Sequence, residues 1–541
     1  MKFRIIKVLF CAIYLLIPLV GFGIVFSFVN PGVFYYDFVN SNVSEALNLK
    51  APSNWHYYLY SLYLRFIFHF TINFSILMLI QIILFSLALA YGAITIMTSL
   101  SNKIKNQKYL FLPYLIPSIM LIVTSVWPAV VVNVETFNAD IFSAIFFIVY
   151  VVQVFKIIDT RGEYFSKWTS IISHGTNIAI MVNLRTQYIA IVGLVFVLTM
   201  VIYKKKIVVQ IVSLLLIFIL CGSWNVYLNI ANVQPSPPRE VLSQPFQMVG
   251  AVYKNNGYMT DSEKQFFNKF GDENWWKENY IPAYSNALRQ NGAKMPEGTT
   301  VGQFLINTSS VCSKNVNICL KAFYDQSSTF YNWGLGVTDP NFSRFTRSKD
   351  LPTVAGSTGM SCQKAGFKNV FFGPVKVYKT QEKYLKTVTK CWKNNNIKYT
   401  DIPLKSRISK KKYQNLMLNF YTPFDKTNSS QKSLRINYEN FWTQSISFWG
   451  NFALPFWVML ICIMGVIITK HWEGLLLLLV PFGYWLTLIC FGTVNYLYRL
   501  VFPMAIILPF VFVACFCFKR ENLSYKNKLK FRKSKKVKTS K

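Results

Sequence analysis

Long apolar stretches alternate with short polar connections along this chain, and the alternation is interrupted once. Apolar runs fall at roughly 5–28, 72–99, 110–128, 140–155, 169–182, 188–203, 207–230, 448–469, 472–492 and 499–518. A helix needs about 20 such residues to cross some 30 Å of hydrocarbon, so the pattern predicts about ten transmembrane helices. Between the seventh and eighth lies one long polar region. The expected fold is a multi-pass α-helical membrane protein with a soluble outer domain inserted between helices seven and eight. The divisions that follow are an N-terminal membrane domain (1–233) with a first outer loop at 29–71, the insert (234–447), a three-helix membrane segment (448–518) and a tail (519–541). The fifth and sixth runs are short. A helix of about 14 residues cannot span alone, and a non-helical break at membrane depth is tolerated only inside protein or along a cavity. That break is expected at 183–187.

The insert opens with a Pro-rich joint, QPSPPRE, and then reads as helical. Thr260 precedes Glu263 at capping-box spacing, and Phe266, Phe267 and Phe270 follow at helical intervals. Residues 291–445 are rich in Lys, Asn, Ser and Gly with weaker periodicity, which predicts α+β or irregular structure. Six of the ten cysteines lie in apolar runs. The other four, Cys312, Cys319, Cys362 and Cys391, all lie in the insert, and an even set suits two disulfides in an oxidising compartment. Three pairings are possible, of which Cys312 with Cys319 and Cys362 with Cys391 is the simplest. Zinc is the competing reading, but the insert has no close CxxC pair and no histidine.

Charge sets the orientation. The 541 residues are 53% hydrophobic yet carry a net charge of +35, a combination foreign to soluble domains. Lysines and arginines cluster before the first apolar run, after the second, fourth, sixth and eighth, and beyond Phe518. The positive-inside rule makes that side cytoplasmic. Both termini are then expected in the cytoplasm of a bacterial inner membrane, with the insert periplasmic or extracellular. The basic tail directly follows a membrane helix, which favours membrane lipids over nucleic acid as its partner. An N-terminal signal peptide is the alternative for the first run, but no small-residue cleavage pattern follows it.

Ionisable groups beside hydrocarbon usually mark function. Those on the outer side are Asp37, Glu45, His56, Arg65, Glu135, Asp140, Arg185 and Arg499. Glu45 and Arg65 read as groups solvated at the interface; Asp37, Arg185 and Arg499 sit in short constrained segments between helices. No G-x-S-x-G, Walker A or H-E-x-x-H motif occurs, so the chain carries no visible ATP engine.

Several ordered motifs resemble the GT-C superfamily of membrane glycosyltransferases, which use polyprenyl-phosphate-linked sugars. The first loop resembles that of a bacterial group reading P-G, an aspartate, then a W-H pair; here these are Pro31, Gly32, Asp37, Trp55 and His56. ETFNADIF (135–142) resembles a segment holding a Lys-Asp pair, with Asp140 as the acid. NLRTQYIAIVG matches an R-N-G-like segment at Arg185. QPFQMVGAVYKNNGYMTDSEKQFFNKF and NYIPAYSNALR resemble the start of the group's outer domain, and YLYRLVFP an R-Y-x-x-P entry to the last helix. Residues 291–445 match nothing in the pattern. The chain departs from it at Tyr57, where proline often follows the W-H pair, at Ala139 in place of lysine, and after Arg185, where Asn-Gly is missing.

The resemblance implies a GT-C-like glycosyltransferase moving a sugar, with inversion, from a polyprenyl-phosphate donor to a glycan, lipid or protein acceptor on the outer face, lipopolysaccharide among them. It implies Asp37 as the catalytic base. Arg185 and Arg499, with His56, are the expected phosphate-binding groups, because guanidinium forks match phosphate oxygens. Glu135 or Asp140 is the expected second acid or metal ligand, leaving room for a divalent metal, Mg or Mn, as cofactor. Two other classes stay open. A flippase of lipid-linked glycans would need inverted repeats or paired broken helices; a non-enzymatic envelope protein would depend on the insert and not on the loop acids.

Overall fold

The computed structural model describes residues 2–29, 33–34, 38–46, 52–68, 70, 74–104, 106, 109–237, 241–282, 285, 287–288, 295–333, 451–491 and 498–518. All ten apolar runs are helical. In chain order the first part contains α1 (Lys2–Val29), the short α2 (Tyr58–Phe68), α3 (Phe74–Lys103), α4 (Leu112–Val126), the short α5 (Pro128–Val134) and α6 (Ala139–Asp159). Then come α7 (Trp168–Leu184), α8 (Tyr188–Ile202) and α9 (Ile207–Ile230). The insert contributes α10 (Ser243–Lys254), α11 (Asp261–Asn268), α12 (Glu273–Asn279), α13 (Val301–Lys314) and α14 (Val316–Ser327). The chain returns through α15 (Leu454–Thr469), α16 (Trp472–Phe491) and α17 (Tyr498–Ala514). Five of these, in α1, α3, α6, α9 and α16, are long and apolar enough to cross a membrane. The architecture is that of a helical membrane protein.

Burial separates centre from periphery. Of the most apolar window in α6, 83% is buried, against 22% in α1 and 17% in α9. Accordingly α6 packs against α3, α7, α16 and α17, while α9 lies outside on α7. The exposed side chains of α9, among them Val208, Leu215, Phe218 and Ile219, suit contact with lipid chains.

Hydrocarbon packing alone leaves two helices free to slide, so polar groups fix their register. Between α6 and α7, Gln153 Oε1 meets His174 Nδ1 at 3.0 Å, and Asn177 Nδ2 donates to the Phe146 carbonyl at 3.1 Å. His174 is stacked on Tyr150 and flanked by Phe165 and Phe196. Asp140 and Arg185 lie at the other ends of these same two helices. The lock therefore sets their alignment.

Two loops meet through a parallel pair of strands, β1 (Val33–Phe34) on β2 (Thr136–Phe137), with Val33 opposite Thr136 and Phe34 opposite Phe137. Phe38 then stacks on Phe137 with centroids 4.9 Å apart. The rest of the first loop is organised by Glu45, which is buried and not solvated as its sequence position suggested. Its carboxylate accepts from the Ser53 amide at 3.2 Å and the Ser61 hydroxyl at 2.8 Å. Asn42 donates to Ser61 Oγ and to the His56 carbonyl, so the turn before α2 is held on both sides. The Asn54 amide donates to the Gln234 carbonyl and the Gln234 amide to the Pro52 carbonyl, joining this turn to the start of the insert.

The described part of the insert is helical throughout. The Thr260–Glu263 capping box forms as expected, and Glu263 also accepts from Ser310 at 2.6 Å and Lys314 at 2.7 Å, tying α11 to α13. Phe246, Phe267, Phe304 and Trp276 are the centre of its core. The expected α+β character finds no strand at 295–333, where α13 and α14 stand instead. A second capping box, Thr300 with Gln303, starts α13. The insert rests on the last helices: Gln244 donates to the Ile489 carbonyl at 2.9 Å, and Trp485 to Phe330 at 3.0 Å.

Cys312 and Cys319 form a disulfide across the turn between α13 and α14, with Cα atoms 5.6 Å apart. Cys362 and Cys391 lie outside the described residues. Closing so short a loop stabilises by about 2–3 kcal/mol in the chain-entropy account. Replacing both Cys312 and Cys319 by Ser should lower the thermal midpoint accordingly, and in the native protein neither thiol should take up maleimide before reduction. Labelling without reductant would contradict the bond.

Candidate functional site

α7 stops at Leu184 because Arg185 takes an extended conformation, φ −162° and ψ 105°. α8 begins at Tyr188, so the break occupies 185–187, within the stretch expected to be non-helical. Its backbone is largely satisfied locally, with the Arg185 amide bonded to Met181 and Val182 and the Tyr188 and Ile189 amides bonded back to Arg185 and Thr186. The arginine itself turns inward.

Three charged side chains from separate helix ends converge here. Asp140 lies in the first turn of α6, its amide held by the Asn138 cap at 2.7 Å. Arg185 Nη1 approaches Asp140 Oδ1 at 3.7 Å, and Arg499 Nε, from the start of α17, approaches Oδ2 at 3.5 Å. Exposure falls from 16% at Arg499 and 13% at Asp140 to 1% at Arg185. Two cations face one carboxylate at a largely buried position.

The floor is aromatic. Arg185 stands over the ring of Tyr484 at 5.7 Å, within range for a cation–π contact, and its Nε donates to Gln187 at 2.9 Å. Tyr484, Tyr188 and Phe147 pack on one another at 5.0 to 5.7 Å. Tyr188 reaches Ser143 on α6 at 3.2 Å, and Tyr484 donates to the Leu500 carbonyl at 2.8 Å. These bonds hold α8 to α6 and α16 to α17. Arg185 Nη1 is buried without a hydrogen-bond acceptor, so part of its donor capacity is unspent.

The first loop supplies a fourth group. Tyr57 ends the 3-10 turn Asn54–His56 with φ 60° and ψ 82°, and its phenol lies beside the Thr186 side chain, close enough to Asp140, Arg185 and Arg499 for their charges to act on it. Burial pushes the phenol up to about 12, with Asp140 adding to the shift and the arginines opposing it; it remains an O–H donor at neutral pH. Proline, fixed near φ −65°, is excluded from this conformation. The departure at Tyr57 is therefore a structural difference from the W-H-P pattern and not a neutral replacement.

The sequence-selected residues divide clearly. Arg185, Arg499 and Asp140 come together. His56 occupies the same turn as Tyr57, with its ring against Trp55 at 4.4 Å, and Tyr57 is the member of that turn seen beside the charged trio. Asp37 lies outside the described residues. Glu135 is fully buried, and neither carboxylate oxygen has a hydrogen-bond partner. Gln81 grips the carbonyls on both sides of it, Val134 at 2.7 Å and Thr136 at 3.1 Å. Burial raises the Glu135 carboxyl well above the usual carboxylate range.

These donors do not fit a divalent ion. Both Asp140 oxygens face guanidinium groups, Glu135 is sealed from solvent, and among the described residues no three His, Cys, Asp or Glu side chains gather. Tyr57, Tyr188, Tyr484 and Gln187 were not selected from the sequence; the tyrosines at the starts of α2 and α8 look there like ordinary interfacial aromatics. No protein-family profile, curated protein or solved structure matches the chain.

Removing the shared anion should strand both arginines. Asp140→Asn is expected to lose on the order of 3 kcal/mol, the low end for breaking a buried pair, measurable as a lower thermal midpoint; an unchanged midpoint would mean that the trio is not an ion cluster. Glu135 obeys the opposite sign. Its folded carboxyl holds a proton that the unfolded one releases, so its contribution to stability falls as pH rises above the unfolded carboxylate range, by about 1.4 kcal/mol per pH unit up to the folded value. Glu135→Gln should therefore gain on wild type as pH rises above the unfolded carboxylate range in thermal melts. A gap independent of pH would show that the carboxylate has a charged partner.

Proposed function

We propose that this chain is an integral membrane glycosyltransferase of GT-C type with ten spans, both termini cytoplasmic and the insert on the outer face of a bacterial inner membrane. It moves a sugar from a polyprenyl-phosphate donor to a surface glycan, lipid or protein acceptor. The observation that carries the reading is the convergence of Arg185 and Arg499 on Asp140 beside a broken helix, with a buried donor on Arg185 that has no hydrogen-bond acceptor.

The chemistry follows from those two guanidinium groups. As the acceptor hydroxyl attacks the anomeric carbon, the bond from that carbon to the phosphate oxygen breaks through an oxocarbenium-like state. The electron pair leaves on the lipid phosphate. Guanidinium donors already placed at that position stabilise the second negative charge developing on the departing phosphate more than the single charge of the phosphodiester reactant, which is the condition for catalysis. Asp140 holds the two cations near each other before substrate arrives. The acceptor proton passes to a carboxylate, assigned to Asp37 from its place in the first outer loop. Inversion follows from a single displacement of this kind.

The test is transfer from a synthetic polyprenyl-phosphate sugar in proteoliposomes. Arg185→Ala and Arg499→Ala should each lower the rate by roughly 10²–10³, the effect of deleting one preorganised oxyanion donor, and correctly inserted Asp37→Asn should be inactive. Full transfer by Asp37→Asn defeats the mechanism. Movement of the intact donor across the bilayer without sugar transfer would make the protein a flippase.

A further inference from the structure

Among the described residues, five non-glycine residues take positive φ. Arg161, Asn232, Asn256 and Lys470 follow the ends of helices, where asparagine and long basic residues tolerate this region and cap the chain. Tyr57 is different. It is an aromatic residue, half-buried, held at φ 60° at the edge of a charged site. Strain of this kind persists only where the surroundings enforce it, and it concentrates where a side chain must be aimed.

The surroundings of Tyr57 do enforce it. Ser53 caps the turn by accepting from the Trp55 amide at 3.2 Å, the Tyr57 amide returns to the Asn54 carbonyl at 3.3 Å, and Asn42 fixes the His56 carbonyl at 2.9 Å. Glu45 holds Ser53 and Ser61 on either side. The first outer loop is thereby folded so that one phenol meets Thr186 in the helix break. A loop needing only a reversal would be served by glycine or asparagine.

We propose that Tyr57 is a substrate-contacting residue of the anion site, its hydroxyl forming with Arg185 and Arg499 a three-donor cradle for the phosphate of a polyprenyl lipid. The inference rests on the reading of this site given above and assigns to Tyr57 the donor role that the sequence gave to His56. Two guanidinium groups supply charge from the helix side, while the phenol supplies a neutral donor from the loop side. Thr186 orients that hydroxyl while the site is empty. The first outer loop then senses the ligand through Tyr57.

The decisive comparison is binding of undecaprenyl phosphate against uncharged undecaprenol by full-length protein in nanodiscs. Wild type should prefer the phosphate. Tyr57→Phe keeps the ring and the turn and should cut that preference on the order of tenfold at an unchanged thermal midpoint. Tyr57→Gly should melt above Tyr57→Ala, because glycine relieves the positive φ, yet both should lose the preference as Tyr57→Phe does. A Tyr57→Phe protein that discriminates like wild type overturns the role of Tyr57 while leaving the site reading intact. Wild type that binds both lipids alike overturns the anion site, and this inference with it.

Discussion

A guanidinium cannot shed its charge when it is buried, and Arg185 is buried almost completely. Its position in this fold is therefore conditional on an anion arriving from another element, and Asp140 is that anion. The condition propagates outward. Asp140 must sit at the start of α6, so α6 must hold a fixed register against α7, and the Gln153, His174 and Asn177 contacts far down the same helices hold it. Arg499 must enter from α17, and the Tyr484 hydroxyl bonded to the Leu500 carbonyl fixes where α17 begins. The helix break, the polar lock and the aromatic floor are consequences of keeping one cation out of water.

The same logic explains what the sequence showed. Hydrocarbon imposes length and composition on every crossing element, so each of the ten apolar runs was legible as holding a helix, with ends that differ by several residues in places; the run at 207–230 is α9 itself. The break at Arg185 was legible for the related reason that a run too short to cross must meet another. The capping box at Thr260 was legible because both halves are local. Arg185, Arg499 and Asp140 could be selected singly as charges beside hydrocarbon, but nothing in one dimension states that they meet.

What escaped reading depended on long-range packing. Glu45 looked solvated because its partners, Ser53 and Ser61, are neutral and lie 8 and 16 residues away. Tyr57 looked like a departure from a motif because a positive φ leaves no mark on a tyrosine. The helices at 301–327 were obscured by Asn, Ser and Lys, which weaken the apolar stripe while the core forms on Phe304 and Val311. Glu135 was placed at a membrane surface by its neighbours in sequence and is sealed by its neighbours in space.

Helix direction adds a last constraint on the sign of the site. α6 starts beside Asp140, α8 starts at Tyr188 and α17 starts beside Arg499, so three helix N-termini, each carrying partial positive charge, face the region of the trio. The C-terminus of α7, where Arg185 stands, is the one negative end opposing them. For Asp140 this field is favourable. For Arg499 it is unfavourable, since a cation at a helix N-terminus is repelled by its own helix. Among the described side chains, Asp140 stands between two guanidinium groups. Neutralising Arg185 needs Asp140 alone, so holding Arg499 against its own helix dipole is a cost that this neutralisation does not require.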